Sequence, residues 1–265
     1  MKIKALIITI LFLFSAAVHG QYYTNLEKAL AEPEKVDSLD LGNAGIFDLP
    51  EEIENFVNIR YLDISYNDLR RLPQAVFKLY SLEVLVAEEN FIRELPDEIA
   101  DLKNLRQLNL KNNRISELPD NFEDLTALEK LELTSNGLRE IPKSAAQLPE
   151  LKYLSLRNNY LEDVSGLKRS KTLEKLDLSG NRLQDFPKNL YKISTLVSLD
   201  LGDNRLSELR AGSSDLVNLE YLSLEKNRIR ILNEEFVDDF NAPKLNMGFN
   251  RLKTVPGILF RKKHL

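Results

Sequence analysis

The chain has no cysteine and no tryptophan among its 265 residues, and only two histidines and two methionines. Each scarcity excludes a class of chemistry. Without cysteine there are no disulfides, no thiol nucleophile and no cysteine-ligated zinc. One histidine, His19, lies in an apolar N-terminal segment, and the other, His264, is next to last. A Ser-His or Cys-His catalytic pair therefore has no parts in the body of the chain. The ten glycines are scattered, so no glycine-rich phosphate loop forms. Positive charge is also short. The formal net charge is −5, and it becomes −7, 34 basic against 41 acidic residues, once Lys2 and Lys4 are removed with a cleaved leader. That balance argues against nucleic acid as a partner, because a binder of phosphate backbones carries a basic footprint.

What the chain has in abundance is leucine at fixed spacing. Segments beginning at Val36, Ile59, Leu82, Leu105, Leu128, Leu151, Leu173, Leu196, Leu219 and Ala242 all read L-x-x-L-x-L-x-x-N-x-L with small departures. The steps are 23 residues, with one of 22 between Leu151 and Leu173. Asn67, Asn90, Asn113, Asn136, Asn159, Asn181, Asn204, Asn227 and Asn250 form one column, which only the first repeat breaks, with Ala44. A side-chain amide offers both donor and acceptor, which suits a buried turn between neighbours. The second half of each repeat reads x-L-P-x-x-[IF]-x-x-L. Seven of the ten prolines fall in phase: Pro50, Pro73, Pro96, Pro119, Pro142, Pro187 and Pro256. Proline donates no hydrogen bond, so it fits an irregular outer side rather than a strand.

These columns resemble the leucine-rich-repeat family from Val36 to about Leu259, and the period falls in the family's range. The L-P-x-x-I-x-x-L half is similar to the 23-residue subtype found in bacterial proteins and in intracellular scaffolds related to Ras signalling. Repeat six, with Val164-Ser165-Gly166-Leu167 in place of the proline turn, resembles a 22-residue subtype. The resemblance implies an α/β solenoid: a right-handed curved horseshoe, with a parallel sheet on the concave side and irregular or short-helical convex segments. The convex side should be less regular in repeats eight and nine, where Arg210 and Asn233 replace proline and Ser213 replaces an apolar residue. No single repeat can enclose its own core, so stability must come from stacking.

The ends set the domain plan. Residues 1–20, with Lys2 and Lys4 before an apolar run from Ala5 to Val18, read as a secretory signal peptide. The run is short of the ~20 residues a spanning helix needs, so no membrane contact is expected after cleavage. Residues 21–35 are expected to form an N-terminal capping helix, with Thr24-x-x-Glu27 as a capping box and Pro33 as its stop. The Leu26-Glu27-Lys28-Ala29-Leu30 segment before Pro33 resembles the caps of secreted leucine-rich-repeat proteins of Bacteroidetes-type bacteria. The ten repeats occupy residues 36–252, and residues 253–265 form a C-terminal cap with a basic tail. Animal extracellular members of the family carry disulfide-bonded caps. A secreted, cysteine-free chain therefore points to a bacterial periplasm, cell surface or exterior.

The concave face is where the family binds partners, and two features there invite different readings. Asp37, Arg60, Glu83, Arg106, Glu129, Lys152 and Glu174 alternate in sign from strand to strand. This is read as a lateral ladder that supports register. By contrast, Val84 and Val86 stand at outward positions where polar residues are usual, with Tyr61 and Tyr66 on the adjacent strand. Asp63, Glu88, Glu89, Arg106, Lys111 and Asn112 surround them. An apolar centre with a charged rim is the make-up of a protein-binding patch. Tyr153, Tyr221 and Phe249 are too dispersed to form a second one. Asp177, Asp200 and Asp203 cluster oxygens of the kind calcium uses, but a solvated acidic column accounts for them and no metal or other cofactor is assigned. The expectation is a secreted, monomeric, non-enzymatic module that binds a partner protein. A glycan-binding envelope component is the alternative, or an intracellular-type scaffold if the leader is not a signal.

Overall fold

A computed structural model of the chain describes residues 20–141, 144–209, 216–234, 236 and 243–254. The leader (1–19), most of the C-terminal cap (255–265), and Pro142, Arg210, Ser213 and Ala242 lie outside the described residues.

The leucine period becomes a solenoid. Strands β1 (Gln21–Tyr23), β2 (Val36–Asp40), β3 (Tyr61–Asp63), β4 (Val84–Val86), β5 (Gln107–Asn109), β6 (Lys130–Glu132), β7 (Tyr153–Ser155), β8 (Lys175–Asp177) and β9 (Ser198–Asp200) lie side by side in chain order. Two-residue β10 (Glu208–Leu209) and β12 (Ile231–Leu232) leave this row, while β11 (Tyr221–Ser223) and β13 (Lys244–Asn246) continue it. The result is an 11-stranded parallel sheet. The register advances by one repeat at each step: Leu62 faces Leu85, Leu85 faces Leu108, and the 22-residue step sets Leu154 against Leu176. From Leu39 to Leu222 the central leucine of each of these strands is at most 2% exposed. Its neighbours on either side face away from the core, as a pleated strand requires.

On the convex side the chain makes tight 3₁₀ turns. Glu51–Asn55, Gln74–Lys78, Asp97–Asp101, Asp120–Asp124 and Lys188–Lys192 each follow an in-phase proline that stands at the turn's N-cap. The third residue of each turn, Ile53, Val76, Ile99, Phe122 or Leu190, is at most 1% exposed. Repeat six substitutes a turn at Ser165–Arg169, where Gly166 lies so close to Ile141 that a Cβ would meet its carbonyl oxygen at 3.3 Å. Repeats eight and nine depart further. Where proline is lost, the preceding dipeptides pair as β10 and β12, with Glu208 opposite Ile231 and Leu209 opposite Leu232.

The N-terminal cap differs from its expected form in two ways. Residues 21–35 are not a helix alone, because β1 comes first and pairs with β2, so the cap itself supplies the first strand of the sheet. The helix α1 (Leu26–Ala31) is capped by Asn25, whose Oδ1 accepts the Lys28 N–H at 2.9 Å. Thr24 is one residue too early to cap it. Ala29 is fully buried, and Leu26 and Leu30 pack on the core's open edge.

The asparagine column binds each repeat to the one before. Asn113 Nδ2 donates to Ala87 O (2.9 Å) in the preceding repeat and to Leu110 O (3.1 Å) in its own. Its Oδ1 accepts the Ile92 N–H of the preceding repeat at 3.0 Å. The pattern recurs through Asn250. Ala44 now has a reason: the element before it is β1 and α1, which offer no equivalent turn to bind.

A second column was not foreseen. The residue just before each of these asparagines, and Asn43 before Ala44, has left-handed backbone, with φ between 51° and 68°. Only one of the ten, Gly180, is glycine. Among the described residues no helix is long and apolar enough to cross a membrane.

Candidate functional site on the concave face

Two outward columns face the inside of the horseshoe. One runs Tyr22, Ser38, Tyr61, Val84, Gln107, and the other Asp40, Asp63, Val86, Asn109. β4 keeps the common register: Leu85 and Ala87 are fully buried while Val84 and Val86 stand outward and half-buried.

The structure brings the expected patch together with two changes. Tyr61 is only 7% exposed. Its hydroxyl donates to Asp63 Oδ2 at 3.3 Å. It is floor rather than anchor. Tyr66, in turn, is not on a strand. It follows β3 in the left-handed column, with φ 55°, and its ring is 53% exposed. A non-glycine residue there is strained by about 1–2 kcal/mol.

The rim is largely held by neighbours. Asn109 Nδ2 donates to Glu88 Oε2 at 2.9 Å, and Asn112 donates to Glu89. Arg106 pairs with Glu129 at 2.9 Å, which Lys152 also meets at 3.0 Å. With Asp37–Arg60 at 2.8 Å these are the rungs of the alternating ladder that close as ion pairs. Lys111 is half-buried and gives its backbone N–H to Asn109 Oδ1.

Sequence reasoning missed Tyr22. It belongs to the concave row because β1 is a strand, and its hydroxyl donates to Asp40 Oδ2 at 2.9 Å. Its ring is 55% exposed. The only signal was the short Gln21-Tyr22-Tyr23 run before the helix.

Acid dominates the electrostatics. Burial, reinforced by Asp40 and Asp63, pushes the Tyr22 phenol up to about 12. The Tyr66 phenol is raised first by Glu88, then by burial and Glu89. Burial lifts the Asp63 carboxyl above its ordinary range, although Ser65 donates to it from both N–H and hydroxyl. The surface thus presents two exposed phenols and two valines among carboxylates, which suits an apolar side chain flanked by cations.

Four aspartates of the outward strand positions have structural work. Asp40, Asp63, Asp177 and Asp200 each accept the backbone N–H two residues on, which turns the chain out of the strand. Among the described residues no three His, Cys, Asp or Glu side chains gather closely enough to hold a metal.

Family models match two stretches, one described as a leucine-rich repeat over residues 57–115 and one as a leucine-rich repeat region over residues 97–201. No curated protein sequence matches the chain. Among solved structures, a leucine-rich-repeat protein of Leptospira interrogans is 27% identical, with TM-score 0.69 over 92% of this chain and 80% of that one. The leucine-rich-repeat ectodomain of the Arabidopsis thaliana receptor kinase GASSHO1/SCHENGEN3, solved in complex with Casparian strip integrity factor 2, is 28% identical. Its TM-score is 0.70 over 85% of this chain, which spans 29% of the receptor structure. An internalin of Listeria monocytogenes shares the fold, with 21% identity, TM-score 0.69 and coverage of 86% of this chain and 66% of that one. The leucine and asparagine columns, the 11-stranded parallel sheet and these matches lead to one assignment: the chain is a leucine-rich-repeat protein.

Proposed function

We propose that the protein is a secreted, non-enzymatic binding module of a bacterial envelope or exterior, acting as a monomer. In this reading the N-terminal third of its concave face takes a partner protein. Tyr22, Tyr66, Val84 and Val86 form the contact centre over a floor of Tyr61, inside a rim of Asp40, Asp63, Glu88 and Glu89. The rim calls for a partner segment with an apolar residue between lysines or arginines. The observation that carries the reading is Tyr66: an aromatic ring half exposed to water, just past the strand next to two outward, half-buried valines. Exposed apolar and aromatic side chains are common singly but less so in groups. Support for an extracellular setting comes from the leader-like residues 1–20 and from the similarity to a plant receptor ectodomain.

Affinity capture from envelope extract tests this, with the wild type and a Tyr66→Ala, Val86→Asp double variant compared side by side. Partners held by the wild type should be lost by the variant, while its melting temperature stays within about 2 °C, since surface changes cost little. Unchanged capture by the double variant removes the patch from consideration.

A further inference from the structure

A second charged surface lies on the flank that the chain crosses as it leaves the concave sheet. The residue after each conserved asparagine stands there, and in the last four repeats it is Arg182, Arg205, Arg228 and Arg251. Their spacing is fixed by backbone. Each donates its N–H to the repeat before: Arg182 to Leu161 O, Arg205 to Leu183 O, Arg228 to Leu206 O and Arg251 to Ile229 O, all at 2.9 Å. The guanidinium groups therefore spring from points about 4.8 Å apart, the spacing of neighbouring strands. Side chains of adjacent repeats in this column touch, as Arg182 does when it lies 4.6 Å over the Tyr160 ring.

The row gains weight toward its C-terminal end. Arg230 and Lys253, two residues on, share its face, and Arg205, Arg228, Arg230, Arg251 and Lys253 are all exposed. An acidic row that runs one per repeat from Glu94 to Glu208 stops there, and Ile231 and Thr254 follow in its place. The ion pairs among the described residues use other cations. Beside the row, Phe249 is 78% exposed, again on left-handed backbone. All this sits on a molecule whose formal net charge is negative.

We infer that this flank binds a linear anionic polysaccharide, one carrying a carboxylate or sulfate on successive sugars. An evenly spaced row of arginines matches an evenly charged chain. Arginine's planar fork pairs two-pronged with carboxylate or sulfate. Phe249 offers a flat face to a pyranose ring. The acidic remainder repels polyanions, so such a chain lies along this flank and nowhere else on the described surface. A phospholipid surface fits less well, because Asp185 and Glu208 border two of the four arginines and leave a narrow strip of charge rather than a broad basic face.

The test uses the full chain on immobilised heparin (sulfated) and polygalacturonate (carboxylated), with dextran, poly(dT) and phosphatidylserine-containing vesicles in parallel. The expected result is salt-sensitive retention by at least one of the two polysaccharides and none by dextran. Arg205→Glu, Arg228→Glu, Arg251→Glu together should weaken that binding by roughly tenfold or more. The same charge change made on this flank at its other end, Arg70→Glu, Arg93→Glu, Arg139→Glu, should leave it unchanged. Hydrogen exchange on the wild type, which needs no variant, should show protection by the polysaccharide around residues 203–209 and 226–232 rather than on the concave strands. Retention by neither polysaccharide, equal weakening in both triple variants, protection confined to the concave face, or equal affinity for poly(dT) or vesicles overturns the inference.

Discussion

At the scale of the residue, Asp63 shows how the concave face trades stability for charge. Its carboxyl is pushed up mainly by burial, so the folded protein holds that proton at a pH where the unfolded chain has released it. Between the ordinary carboxylate value of about 3.9 and the raised folded value, the native state binds more protons, and stability falls as pH rises. Above that window the cost of the buried charge is fully present. The next repeat but one solves the same turn without charge: Asn109 Oδ1 accepts the Lys111 N–H at 3.1 Å, as Asp63 Oδ1 accepts that of Ser65. Asp63→Asn should therefore melt at a higher temperature than the wild type at pH 7. The gap should close as the pH is lowered toward about 4. Thermal melts across that range check it, and a gap independent of pH would show that the charge is not the cause. The residue types alone placed Asp63 on the concave face. They did not show that Tyr61 is buried, since that depends on how side chains of neighbouring strands pack over it.

At the scale of the element, the cap distinguishes what periodicity reveals from what it does not. The strands of the long sheet after β1 follow from the leucine columns, and β4 keeps the register that Leu82, Asn90 and Ile92 demand despite Val84 and Val86. β1 is outside the repeat and three residues long, so no period marks it. Its extended backbone carries the helix start one residue past Thr24. Asn25→Ala should cost about 1 kcal/mol of stability, the usual loss of an N-cap, and Thr24→Ala far less. Equilibrium urea unfolding of the two variants separates them; a larger loss from Thr24→Ala would restore the capping box. The left-handed column was equally hidden, because Tyr66, Glu89, Lys226 and Phe249 are residues that seldom adopt it. A pattern of leucines is written in side-chain chemistry, and the sign of φ is written only in the geometry of the turn. In the same way the β10–β12 pair could be read only as lost proline, not as a gained strand.

At the scale of the whole molecule, stability is the sum of contacts between neighbouring repeats. Asn113, in the middle of the stack, joins two of them. Asn113→Ala would leave the Ile92 N–H buried without this partner, at roughly 1–3 kcal/mol, while the Ala87 carbonyl keeps the amide of Asn90 at 3.3 Å. The midpoint of urea unfolding should fall accordingly while its slope holds, and a loss below about 1 kcal/mol would mean that water replaces the amide. The direction of these bonds has one more consequence. Every asparagine of the column reaches back toward the N-terminus, to a turn made 20–26 residues earlier. A ribosome delivers the chain in that same order. Each new turn of the coil therefore arrives carrying the clasp for its predecessor, and the molecule can lengthen from its capped end with one open repeat at a time.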